Sequence, residues 1–522
     1  MTGELLIGVD IGTTSTKTAV FTVEGLPLAE ASAETPLQWH GPGEVDQDPD
    51  DFYSAAVKTI ARCLEQAAID ARRVVAIGVD GQMAGVLGVD RDWQPSMPYD
   101  SWLDTRCAAD VELLAREFGD ELVERTGCPA MVNHAPKLRW WAREQPQAFA
   151  RTAKFVMPSG YVAGKLVGLW SDRAFIDATH LHFTGLVDAE SGSWSPELCT
   201  AVGVPEEKLP DIVEPSVVVG KLSPQAAADS TLPAGIPVAA GLGDTAAGAL
   251  GAGVVHAGQL FDTAGTAAVL AASVETFRPD QSERTLIVMR GAIPGQWFSL
   301  AYLPGGSLLT WFRDAIATSN GAVSDLSYEA MSAGVDKVSP GSDGLLFVPH
   351  LGGRLLPSEP AMRGAWIGLN QHHRRVHLLR AIFESVPYEY ANYLRVLLDL
   401  HPESQPKEAR VVGGGARSRV WNQIKASVLS VPYIRLDRDE FACWGAALVA
   451  GHAVGLFGDL ACDAIRSTAV RERYEPVPRE HAVYRRMIDQ YRVVVDALTG
   501  PSRVLTSMQA DYQEQTREEE AI

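Results

Sequence analysis

Short apolar runs alternate with glycine-rich polar breaks from the first residues of the chain. Leu5, Leu6, Ile7 and Val9 form a buried-type run, Gly12 interrupts it, and residues 16–21 resume a β-favouring pattern. The pattern predicts a strand, a tight turn over Gly12, Thr13, Thr14 and Ser15, and a second strand at the edge of a core. Pro49 opens a helical spacing through Phe52, Ala56, Ile60 and Leu64. Residues 74–79 read as a buried strand that runs into Asp80-Gly81-Gln82-Met83-Ala84-Gly85, polar text at the strand end where α/β folds place ligands. In residues 98–106, Asp100, Trp102, Asp104 and Arg106 occupy alternate positions, so an extended segment would put all four on one face. Residues 131–168 read as helices, 171–187 as a strand region containing His180 and His182, and 204–237 as a loop, a strand and a connector.

The middle of the chain echoes its start. Leu260-Phe261-Asp262-Thr263-Ala264-Gly265-Thr266 again runs from apolar residues through Asp to Gly-Thr, which predicts a duplicated architecture with nucleotide between the halves. Residues 302–314 read as a loop with Gly305 and Gly306 followed by an amphipathic helix, and 376–400 as a long helix. Residues 410–418 read as a strand, the glycines Gly413, Gly414 and Gly415, and a helix N-cap at Ser418. Residues 440–456 are an Ala/Gly-rich, close-contact helix expected behind the nucleotide, and 501–522 an acidic tail, solvated or frayed.

A length of 522 residues predicts two domains, and 46% hydrophobic with 21% charged residues is a globular composition. The formal charge of −20 disfavours nucleic acid and anionic membrane as partners. Six scattered cysteines lack metal-type spacing and read as reduced thiols. The N-terminal run, preceded by Glu4 and broken by Asp10, is unlike a signal peptide, and no apolar segment has membrane-spanning length. These features make a cytoplasmic enzyme the expectation.

The candidate chemistry follows from the turns. The amides and hydroxyls of Thr13, Thr14 and Ser15 can form an anion nest for phosphate, which Gly12 lets approach closely. A carboxylate beside phosphate is repulsive without an intervening cation, so Asp10 implies Mg²⁺, held through water. Gly241-Leu-Gly243-Asp244 has two readings. As G-x-G-x-x-A it fits a dinucleotide fingerprint, with Asp262 about twenty positions on as the ribose ligand. As a kinase site it uses Asp244 as the base for an attacking hydroxyl and as a second cation ligand. Asp80, Gln82, Trp102 and Asp104 supply the carboxylates, amide and aromatic face that a sugar needs. Against this, Trp102 has a core reading and Asp104–Arg106 an ion-pair reading. Lys17 suits either a phosphate contact or the hairpin's outer face. His180-x-His182 lacks a third metal ligand and reads as two partly exposed histidines on a strand. Neither a Walker A motif nor a protein-kinase motif set is present.

The first Gly-Thr turn, the second, Gly-Leu-Gly-Asp at 241–244 and Gly-Gly-Gly-Ala-Arg-Ser at 413–418 resemble, in order and spacing, the FGGY carbohydrate kinases of the actin/hexokinase/Hsp70 superfamily. The resemblance runs from Leu5 to about Arg492. It implies an α/β chain of two actin-like (ribonuclease H-like) domains, each on a mixed five-stranded sheet, with a nucleotide and sugar cleft between them. The expected bounds are 1–255 for sugar and phosphate and 256–500 for nucleotide. The resemblance also implies Asp244 as catalytic base, Thr245 beside the sugar, and Gly305–Gly306 amides on phosphate. It places ATP against Gly265, Thr266 and Gly413–Gly415, with Ser418 facing the base, and makes a homodimer a common assembly. Gln82-Met83 matches the xylulokinase-type Gly-Gln-Met-His, but Ala84 replaces the His, which puts D-xylulose in doubt. The expected reaction is phosphorylation of a terminal hydroxyl of a small open-chain ketose, a pentulose such as xylulose or ribulose, with hexuloses, polyols or sugar acids as alternatives. A dinucleotide-dependent oxidoreductase and a chaperone-like ATPase are the rival classes.

Overall fold

The computed structural model describes residues 3–317 and 327–520, with side chains described as far as residue 509. Two mixed sheets organise the chain, and their central strands follow one plan. In the first, Pro27–Glu34, Ser15–Thr22 and Leu5–Ile11 form an antiparallel meander, and Leu5–Ile11 continues in parallel to Val74–Gly81 and then Pro237–Ala239. In the second, Trp297–Pro304, Ala267–Val274 and Gln259–Ala264 repeat the meander, and Glu408–Val412 and Tyr433–Leu436 repeat the parallel pair. This is the duplication that the two Gly-Thr turns imply. Each sheet has seven strands rather than the expected five. Val218–Lys221 and Leu242–Gly243 are added to the first, and Ile287–Arg290 and Val470–Tyr474 to the second.

Two helices cross between the sheets. The helix Asp244–Gly251 leaves the first sheet and packs toward the second, where a Cβ on Gly248 would lie 2.8 Å from the Phe261 ring. The helix Phe441–Ala453 comes from the second half and lies across the first sheet, touching Leu5–Ile11, Val74–Gly81 and the Asp244 helix. Glycine makes this approach possible. A Cβ on Gly8 would stand 1.7 Å from the Cys443 carbonyl, one on Gly78 2.0 Å from that of Ala446, and one on Gly445 2.0 Å from that of Ala247. The sequence places this helix behind the nucleotide, and the fold makes it the main packing between the halves.

Three local expectations change. Residues 98–106 are not extended: only Tyr99–Asp100 is strand, and a turn follows, closed by the Asp104 amide on the Ser101 carbonyl at 2.9 Å. Residues 178–183 form a 3₁₀ helix rather than strand. The helix Pro478–Glu520 carries the backbone through most of the tail, whose described side chains are mostly exposed, so of the two expectations it is solvated and not frayed. It is anchored on residues 359–362, with Thr506 donating to the Ala361 carbonyl at 3.0 Å and Arg503 Nε to Glu359 at 3.1 Å. The tail's acidic side chains from Glu514 onward lie outside the described residues.

Candidate active site

Two parallel pairings gather three carboxylates at one end of the first sheet. Asp10 stands opposite Asp80, and Leu242–Gly243 pairs with Asp80–Gly81 from the other side, so that Asp244 opens its helix beside them. Gly241 makes this register possible: its φ is +81°, and a Cβ there would lie 1.7 Å from the Val79 carbonyl. Burial, then the charge of Asp244, pushes Asp10 up to about 7, against the opposing Lys17. Burial also raises Asp244, opposed by the hydroxyl and amide of Thr245, whose Oγ1 donates to Asp244 Oδ1 at 3.1 Å. Asp80 is raised well above the usual carboxylate range by burial and then by Asp10. It is wholly buried, and among the described residues neither of its oxygens meets a donor, so it lies among carboxylates rather than open to the cleft.

Donorless oxygens beside other carboxylates suit a hard cation. Among the described residues no three such side chains converge as a protein-only metal cage. Mg²⁺ takes one or two carboxylates and leaves its other positions to water and phosphate, so Asp10 and Asp244 are the carboxylates that could hold it.

The first turn lies next to this cluster. It closes with the Gly12 amide on the Ser15 carbonyl at 3.1 Å, and no acceptor among the described residues faces the amides of Thr13 and Thr14. Trp102 Nε1 donates to Thr13 Oγ1 at 3.0 Å and the ring remains 38% exposed, which excludes the core reading. Gln47, buried and not recognised in the sequence, donates to the Thr13 carbonyl at 2.9 Å and accepts from Gln82 Nε2 at 3.1 Å. Gln82 Oε1 is buried and unpartnered, and Met83 packs so closely on Gly243 that a Cβ there would meet its Cε at 2.5 Å. Asp104 does not join them as a free acceptor. It takes the Val45 amide at 2.7 Å and the Arg106 amide and Nε at 2.9 and 2.8 Å, the ion-pair alternative. Asp100 is bound by buried Lys137 and by Trp141 Nε1 at 2.8 Å.

In the second half, the turn at Gly265 closes onto the Ala267 carbonyl at 3.1 Å, mirroring Gly12. The Gly305 and Gly306 amides donate to the Thr266 and Gly265 carbonyls at 3.0 and 2.8 Å. Neither is free for phosphate, contrary to expectation; these glycines serve close packing, since a Cβ on Gly306 would lie 2.7 Å from the Gly265 carbonyl. Gly413, Gly414 and Gly415 begin at a left-handed φ of +83° and lie against the same turn, a Cβ on Gly415 meeting that of Ala264 at 2.7 Å. Gly413 and Gly414 are exposed, and Ser418 caps the next helix, accepting the Trp421 amide at 3.3 Å. Gly265, Thr266 and the three glycines thus share one surface. Asp262, the echo of Asp10, is buried between Lys425 Nζ at 2.6 Å and the Tyr390 hydroxyl at 2.9 Å. It therefore cannot meet a ribose as the dinucleotide reading requires.

The histidines also correct the sequence reading. His134, His180 and His182 are all buried. Burial holds His182 well below the usual imidazole range and lowers His134 to about 3. His180 lies within electrostatic reach of Asp244. Only tertiary contacts bury these residues, and the H-x-H spacing carries no sign of it. Lys17 does not lie free on the hairpin's outer face: its Nζ contacts both oxygens of Glu440, which precedes the crossing helix, at 3.1 Å.

Family models match most of the chain: the FGGY family of carbohydrate kinases, N-terminal domain, over residues 5–251, and its C-terminal domain over 264–454. A xylulose kinase of Bacillus subtilis is 28% identical over 495 residues, covering 93% of this chain and 96% of the relative. A gluconokinase of the same organism is 26% identical, covering 97% and 98%. The crystal structure of a xylulose kinase from Rhodospirillum rubrum superposes with a TM-score of 0.86 at 28% identity, covering 96% of this chain and all of that one. None of these relatives supports the oxidoreductase reading. Two duplicated sheets, paired Gly-Thr turns and whole-length relatives agree, and the chain belongs to the FGGY family of carbohydrate kinases, phosphotransferases of actin-like two-domain fold.

Proposed function

We propose that the protein transfers the γ-phosphate of Mg-ATP to a terminal hydroxyl of a small open-chain ketose, a pentulose such as xylulose or ribulose. The carrying observation is the placement of a partly exposed Asp244, at the head of its helix, within electrostatic reach of Asp10, which ends the strand that leads into the Thr13–Thr14 turn. Asp244 accepts the proton of the attacking hydroxyl as its oxygen bonds to the γ-phosphorus and the bond to the ADP oxygen breaks. Phosphoryl transfer has a loose transition state, so positioning and charge neutralisation do most of the work. The Thr13 and Thr14 amides hold phosphate oxygens, while Gln82, Met83, Trp102 and Thr245 line the acceptor side. Gly265, Thr266, Gly413–Gly415 and Ser418 form the nucleotide floor. Asp10 and Asp244 would hold Mg²⁺, which when bound neutralises phosphate charge. No helix among the described residues is long and apolar enough to cross a membrane. The cytoplasm, where ATP is plentiful, is the proposed setting.

A sugar acid is the second reading. One curated relative is a gluconokinase, and Arg106 carries a buried, unpartnered Nη2 that suits a carboxylate. ADP release from Mg-ATP with a panel of ketoses, polyols and aldonic acids, run beside Asp244→Ala, tests both. Stimulation by a ketose that is lost in the variant supports the first reading, and stimulation by gluconate alone moves the assignment to the second. Full activity in Asp244→Ala removes Asp244 as the base.

A further inference from the structure

The proposed reaction makes no use of the most completely organised polar group near Asp244. Asp177, Thr179 and His180 are all buried. Asp177 Oδ1 accepts the Thr179 amide at 3.0 Å and hydroxyl at 2.5 Å, and Oδ2 meets His180 Nδ1 at 2.5 Å. In the neutral tautomer that donates Nδ1–H to Asp177, Nε2 is left as an acceptor. Among the described residues that Nε2 has no hydrogen-bond partner, in a ring with no exposed surface. The Thr179 hydroxyl in turn accepts the amide of Gly243, the residue before Asp244, at 2.8 Å. One buried carboxylate thereby fixes both the imidazole and the backbone that carries the proposed base.

Buried acceptors are normally paired, and one left open beside a reactive carboxylate is matched by something that enters with the substrate. We propose that His180 is a specificity-determining residue: its Nε2 accepts a hydrogen bond from a hydroxyl of the acceptor other than the one phosphorylated, with Asp177 and Thr179 as positioning residues. The inference rests on the reading of Asp244 as the site of transfer. The ligand class is a polyhydroxylated chain with a second hydroxyl close to the reacting one. A mono-alcohol or the matching deoxy analogue lacks the partner and leaves Nε2 unpaired, which a site built for a hydroxyl rejects strongly.

The test compares kcat/KM for the best acceptor of the panel with its mono-deoxy analogues in wild type, His180→Phe and His180→Gln. Wild type is expected to reject one deoxy analogue by about tenfold or more. In His180→Phe that ratio collapses toward one, mainly through KM, and in His180→Gln, which restores an acceptor oxygen, it partly returns. An equal loss on every acceptor with unchanged ratios assigns His180 a structural role and overturns the proposal. Should His180→Phe fail to fold, ¹⁵N-histidine NMR of the wild-type protein decides. The Nε2 resonance moves when acceptor is added if the bond forms, and a stationary resonance at saturation overturns the proposal, as does a buried water already bonded to Nε2. Asp244→Ala separates the two readings: activity surviving in it removes the base while the His180 ratio stands or falls by itself.

Discussion

Asp10 and Asp80 face each other across parallel strands, and neither oxygen of the buried Asp80 has a hydrogen-bond donor among the described residues. Such a pair shares a proton or a cation. Asp10 is raised from 3.8 to about 7, so its favourable protonated state is fully present below about pH 4 and is lost as pH rises through 7. Metal-free protein is therefore expected to lose on the order of 3–5 kcal/mol of stability over that range. Melting curves in EDTA across the range check it. Asp10→Asn flattens the slope, and Mg²⁺ restores stability to wild type at alkaline pH. A slope unchanged in Asp10→Asn would sink the idea.

Lys17, beside the first Gly-Thr turn, pairs with Glu440 across to the crossing helix. Its ion pair with Glu440 is partly exposed, at 41% and 22%, and contributes no more than about 1 kcal/mol after screening. Its charge also lowers Asp10, while Glu440 raises it. Lys17→Met therefore leaves the melting temperature within a few degrees of wild type but moves the Asp10-dependent limb of the stability profile to higher pH. An unmoved limb would show that Lys17 does not act on Asp10.

Trp102 provides a reporter. Its ring is 38% exposed and is held by Thr13, in the turn expected to hold phosphate. Adding ATP is expected to change tryptophan fluorescence in wild type and much less in Trp102→Phe. Thr13→Val should raise the KM for ATP several-fold by freeing both the ring and the turn. Equal fluorescence changes in wild type and Trp102→Phe would place the nucleotide elsewhere.

The legible parts of the molecule were those that neighbouring residues decide. Both hairpins, the Ser418 cap and Gly-x-Gly-Asp244 are local patterns, and the duplication is visible because the same pattern occurs twice. Asp80 and Asp262 were not legible, because each depends on distant residues. Asp80 is buried by strands that come from sequence positions near 10 and 242, and Asp262 is bound by Lys425. Asp104 looked like a sugar ligand at alternate spacing until a turn brought Val45 and Arg106 to it. The histidines failed for the same reason: two imidazoles in H-x-H carry no mark of how deeply the chain will cover them.

The Asp262–Lys425 pair, at 2.6 Å and with no exposed surface on either side chain, lies at the centre of the second sheet. Lys425→Met leaves a buried carboxylate with Tyr390 as its main partner and is expected to destabilise by about 3–5 kcal/mol. Removing the charge as well, in Asp262→Asn/Lys425→Met, should recover more than half of that loss in urea unfolding. A double variant no more stable than Lys425→Met would mean that lost packing, not an unpaired charge, sets the effect.

The crossing helix makes the most severe prediction. Gly8 sits where any Cβ would overlap the Cys443 carbonyl at 1.7 Å, and carbonyl and strand are both backbone, so no side chain can rotate away. Gly8→Ala must push the Phe441–Ala453 helix off the first sheet, and with it the helix that begins at Asp244, against which it packs. The expected loss is at least about 3 kcal/mol, with a fall in kcat even in the fraction that folds. Gly458→Ala, where a Cβ meets nothing within 4 Å, is the control and should lie within about 0.5 kcal/mol of wild type. If Gly8→Ala melts like the control, the helix does not depend on this approach, and the two halves are held together by contacts elsewhere.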